Sequence, residues 1–225
     1  MPLKPIAVAP AFKWNSTAGR ANEGRYVDAG GRFVSRANVR TAIDGTIESS
    51  AANVKALTEQ LRTDAIDTVS WRNAMMQEIR LSHLAQATAA KGGFDQMTPA
   101  DNGRAGQAIR AQYDYIRNFA NEVDSGKQKL DGTLGRRAQM YAEASRDTYE
   151  VTVKAAMKGK GMSLFRNVLH PADHCQDCLD ETAKGWVDIN LSPNEGGISN
   201  IGSRLCRTSD KCSFEYQTDA GDTTG

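Results

Sequence analysis

The 225-residue chain carries 28 Lys and Arg against 27 Asp and Glu, for a formal net charge of +1, and 40% of it is hydrophobic. A chain of this length supports one core of moderate size with a small appendage. With a balance so near zero, bulk electrostatics do not point to nucleic acid or to a membrane, and no stretch approaches the roughly 20 apolar residues of a membrane helix.

Charge is less even along the chain than in total. Between Met1 and Arg40 the basic residues Lys4, Lys13, Arg20, Arg25, Arg32, Arg36 and Arg40 face only Glu23 and Asp28. Ala7-Val8-Ala9 resembles a signal cleavage site, but its apolar run is short and broken by Pro5 and Pro10, so no signal peptide is expected. Residues 1–34 show no period and carry prolines and the turn-rich runs NSTAGR and DAGGR. The expectation is an extended arm, either disordered or ordered on a partner surface through Phe12, Trp14, Arg20, Arg25, Tyr26, Arg32 and Phe33.

Residues 35–158 read as a bundle of about four long helices. Val39, Ile43, Ile47, Val54, Leu57 and Leu61 recur at helical steps from Ser35 onward. Asp67 or Thr68 can cap a second helix that carries Val69, Trp71, Met75, Met76, Ile79 and Leu84 and stops at Gly92-Gly93. Thr98, Pro99 and Asp101 form a strong start for a third, which ends near Gly126. The fourth is expected as one helix from about Thr133 to Met157. Its apolar face, like the others, is rich in Ala and Tyr, which suits close helix approach.

Residues 159–225 form a small Cys-rich α+β module. All four cysteines lie there: Cys175, Cys178, Cys206 and Cys212, with His170 and His174 just ahead of the first pair. Trp186 to Leu191 reads as a strand, and Phe214 and Tyr216 alternate like a second. Zinc prefers a tetrahedron of thiolates or imidazoles and can hold together a knuckle too small for a core of its own. The expected ligands are therefore Cys175, Cys178, Cys206 and Cys212, with His174 as a substitute; disulfides or free thiols are the alternatives. A compartment that keeps thiols reduced favours the metal.

Catalysis finds little footing in this pattern. The thioredoxin-like motif lacks its strand-before-helix setting, the zinc-deaminase signature is missing both halves, and His83 has no second histidine near it to build a nucleophilic triad. No Gly-rich phosphate loop occurs between a strand and a helix. No enzymatic role and no small-molecule substrate are expected.

The residues Cys175, Cys178, Gly185, Trp186, Ile201, Gly202, Ser203, Cys206, Cys212 and Tyr216, in the pattern HCQDC…GW…IGSRLC…C, resemble the C-terminal module of the tailed-phage head-morphogenesis (minor head protein) family. The likeness is specific over the last quarter of the chain. It implies a structural virion protein of the head or portal-vertex neck, assembled in the host cytoplasm. Such a protein is multimeric in the particle and touches portal, capsid or neck proteins. A DNA-binding internal head protein using the basic arm is the first alternative, and a metal-dependent nuclease the second. Four cysteines around one ion would leave the nuclease no open metal position.

Overall fold

Side-chain caps fix where the long helices begin. The computed structural model describes residues 3–18, 25–206, 210–219 and 223–224. Helix α1 (Arg36–Arg62) starts where Ser35 accepts from the Asn38 backbone N–H at 3.2 Å, and α2 (Thr68–Lys91) where Asp67 accepts from Ser70 at 2.6 Å. At α3 (Pro99–Asp124) Thr98 and Asp101 form a reciprocal capping box with proline in the first turn. Asp131 accepts from Thr133 at 2.8 Å to start α4 (Gly132–Glu143).

The single fourth helix expected from Thr133 to Met157 is two helices. It is interrupted at Ala144, and α5 runs Ser145–Gly159. The Ser145 hydroxyl donates to the Ala142 carbonyl at 2.7 Å and accepts from Ser82 Oγ at 2.8 Å. A hydroxyl that bonds the preceding turn competes with the helical ladder and bends it.

The chain divides into two compact units, Met1–Thr148 and Tyr149–Gly225. This differs from the three segments expected. The arm belongs with the helices, and all but the first four residues of α5 belong with the cysteine module.

In the first unit α1 lies against α2 and α4, and α2 against α3. Their shared core is Val54, Leu57, Leu61, Trp71, Met75, Ile79, Ile116, Phe119, Leu134 and Ala138, with Trp71 set edge-on to Phe119 at 5.1 Å. The described residues of the arm are extended and bond to their own chain. Strand β1 (Phe12–Asn15) pairs antiparallel with β2 (Arg25–Asp28). The Trp14 backbone N–H donates to Gly92 O at 2.9 Å, Lys4 exchanges two 2.7 Å bonds with the Asn53 amide, and the Thr88 hydroxyl donates to Val8 O.

The second unit is a four-stranded antiparallel sheet in the order β4-β3-β5-β6, with α6 (Gln176–Ala183) between β3 (Leu164–Val168) and β4 (Val187–Asp188). Strand β5 (Ser213–Gln217) pairs with β3 along its whole length, and β6 (Thr223–Thr224) pairs with β5. The expected strand over Trp186–Leu191 shrinks to two residues, and the central strand is β3. Phe165, Ile189, Ile198 and Tyr216 form one buried cluster; Cys178, Ile201 and Cys212 form another. The chain is therefore mostly helical with two small sheets. Among the described residues no helix is long and apolar enough to cross a membrane.

Candidate metal centre

The Cys-x-x-Cys spacing places its two thiols at the start of a helix. Cys175 is the N-cap of α6 and Cys178 the third residue of its first turn. That is the spacing at which a cap side chain meets a backbone N–H. The loop from Ile198 to Cys206 brings in the third thiol, and Cys212 stands immediately before β5.

The Cys175 and Cys178 sulfurs are 3.5 Å apart, and those of Cys178 and Cys206 are 3.4 Å apart. A disulfide would require about 2.0 Å, so the thiols are free. Zinc–sulfur bonds of about 2.3 Å in a tetrahedron set sulfurs about 3.8 Å apart. Cys175, Cys178 and Cys206 thus approximate one face of such a tetrahedron, with all three ligand atoms within 4.8 Å of one another. Cys178 also belongs to a second set, with Cys212 and His174, that meets the same limit. His174 Nε2 lies 2.7 Å from the His170 carbonyl, so that nitrogen carries the proton and Nδ1 keeps its lone pair for a metal. Five candidate donors converge, and Cys178 is common to both sets. Soft thiolates beside one imidazole are the donor chemistry that zinc selects, so the residues present fit that ion.

Burial acts upward on the Cys175 thiol, yet backbone and thiol hydrogen bonds from Cys178 and Cys206 hold it below its ordinary value. For Cys206, burial raises the pKa, and the neighbouring Cys178 and Cys175 thiols and the Asp210 charge raise it further. Burial, and after it the Asp210 carboxylate, push Cys212 up to about 12 against a hydrogen bond with Asn167. A metal held by Cys206 and Cys212 would therefore have to displace their protons, and affinity for it would rise with pH.

Three residues around the centre escape a reading of the sequence: Asn167, Arg204 and Asp210. Asn167 is buried on β3 and donates to Thr182 Oγ1 at 2.8 Å, tying the strand to α6. Arg204 and Asp210 form a buried pair at 3.3 Å. The one available signal is positional: each stands two residues before a cysteine, Cys206 and Cys212.

The residues expected to meet a partner are divided by the structure. Phe12 is buried; Trp14 and Tyr26 are partly buried and pack edge-to-face at 5.1 Å, and Tyr26 also meets Phe12 at 5.3 Å. These three serve the chain's own fold. Phe33 is 63% exposed, with Arg25 over its ring at 5.6 Å, and Arg32 is exposed and pairs with Asp28 at 2.8 Å. Arg20 lies outside the described residues.

A scan against protein-family models finds no match, and neither the curated proteins nor the solved structures searched contain one.

Proposed function

We propose that this chain is a structural protein of a tailed-bacteriophage particle, a minor head or portal-vertex component, whose C-terminal unit closes around one structural zinc ion. The observation that carries the reading is the pair of donor sets that share Cys178, one with Cys175 and Cys206 and one with Cys212 and His174, in the module whose sequence resembles head-morphogenesis proteins. Four thiolates fill a tetrahedral zinc and leave no position for water or substrate, so the ion serves folding rather than chemistry. Helices α1–α4 act as a bundle that gives the protein a rigid body, and its work is contact with portal, capsid or neck proteins. Phe33 and Arg32, both exposed, and the partly exposed Arg25 beside the Phe33 ring are the arm residues offered for such a contact. A large apolar ring beside a guanidinium is a common anchor at protein interfaces.

The test is quantitative mass spectrometry on washed particles of a phage encoding this chain. The expected result is a fixed, low-to-moderate copy number per particle that survives high-salt washing. Phe33→Ala should lower it while leaving the protein folded. Absence of the chain from particles would overturn the reading.

A further inference from the structure

We propose that Arg204 is the charge partner of the metal centre: its guanidinium donates to the Cys178 thiolate of the loaded site and screens the thiolates from the Asp210 carboxylate. The proposal deepens the zinc reading and rests on it.

The pair is buried, with side-chain exposures of 1% for Arg204 and 0% for Asp210. Arg204 Nη2 donates to Ser199 O at 2.9 Å, and Nη1 lies 3.3 Å from Asp210 Oδ2 and 4.0 Å from Cys178 Sγ. Nε is buried and has no hydrogen-bond partner among the described residues. Asp210 Oδ1 accepts from the Cys212 backbone N–H at 3.0 Å and stands 3.9 Å from the same Cys178 sulfur.

Burying two charges costs several kcal/mol per ion, which their attraction offsets only when the remaining donors and acceptors are also met. Arg204 falls short of that, because a guanidinium has five N–H donors and Nε is spare. The arrangement makes physical sense once the sulfurs carry negative charge. Metal binding requires thiolates, and a thiolate beside a guanidinium gains a charge-assisted hydrogen bond. Asp210 works in the opposite sense, since an unscreened carboxylate beside thiolates opposes their formation. Two members of one ion pair therefore affect metal binding with opposite signs. A pair that merely braced the loop would not behave so, because losing either member would loosen it alike.

The experiment is Zn²⁺ affinity of the reduced full chain, measured by competition with a chelating chromophore, with Co²⁺ absorption reporting the thiolate ligands. Arg204→Met should weaken Zn²⁺ binding by about 10–100-fold, the usual effect of losing an outer-shell partner. Asp210→Asn keeps an acceptor for the Cys212 N–H and should bind Zn²⁺ as tightly as the unaltered chain or more tightly. Equal affinity for Arg204→Met and the unaltered chain overturns the proposal, as does an Asp210→Asn loss as large as that of Arg204→Met. Should Arg204→Met fail to fold, the double variant Arg204→Met/Asp210→Asn buries no charge and serves instead. It must bind Zn²⁺ more weakly than Asp210→Asn alone, and equality overturns the proposal. An unaltered chain that takes up no Zn²⁺ removes the zinc reading and this proposal together; zinc uptake without the predicted order removes only the proposal.

Discussion

His83 lies buried on α2, its Nδ1 2.7 Å from Thr148 Oγ1, while Nε2 has no hydrogen-bond partner among the described residues. Burial disfavours the imidazolium and lowers the pKa from 6.5 to about 4. The unfolded chain thus takes up a proton at higher pH than the folded one. The stability linked to His83 is complete above pH 6.5 and is lost as pH falls toward 4. At full effect it amounts to roughly 3 kcal/mol, at about 1.4 kcal/mol per pKa unit. Urea midpoints measured from pH 7 to pH 4 should fall over this range, and His83→Gln should remove that part of the fall. An unchanged slope in the variant would place the acid sensitivity elsewhere.

The β1–β2 pair packs against a distant position, Gly92. Gly92 ends α2 with φ +77°, and a Cβ added there would come within 2.6 Å of the Trp14 backbone nitrogen. Gly92→Ala meets both a left-handed backbone penalty of about 1–2 kcal/mol and a collision with main chain. It should release the Trp14 contact, shift tryptophan emission to the red and lower the thermal midpoint. Unchanged emission would show that the hairpin does not depend on this approach. That dependence also explains what the sequence conceals. Helix starts at Ser35, Asp67 and Thr98 are legible because a cap and the backbone it satisfies lie three residues apart. The arm is not legible in the same way, since its order comes from Gly92, Thr88 and Asn53, which stand some 50 to 80 positions away. Strand β3 is hidden by Asn167, a polar residue at a buried position that breaks the apolar alternation and donates to Thr182 and to the Cys178 carbonyl on α6. The break at Ala144 is hidden because Ser145 finds Ser82 across 63 residues of chain. The Cys/His cluster, by contrast, is legible from cysteine spacing, whereas its charged neighbours Arg204 and Asp210 carry no spacing rule of their own.

At the scale of the whole molecule, the two units draw stability from different sources. Met1–Thr148 has a continuous apolar core running through α1 to α4. Tyr149–Gly225 has two small clusters, one of which consists largely of cysteine side chains. On the proposed reading, a module with so little apolar surface would draw its missing stability from a bound ion. Metal removal should accordingly affect one unit and spare most of the helical signal. Elemental analysis of the purified, reduced protein, followed by chelation with far-UV and near-UV circular dichroism, tests this most directly. The expected result is one zinc ion per chain, loss of near-UV signal on chelation with most helical content retained, and the same outcome for Cys175→Ser without chelator. Protein free of zinc, with a thermal midpoint unmoved by chelator, would contradict it.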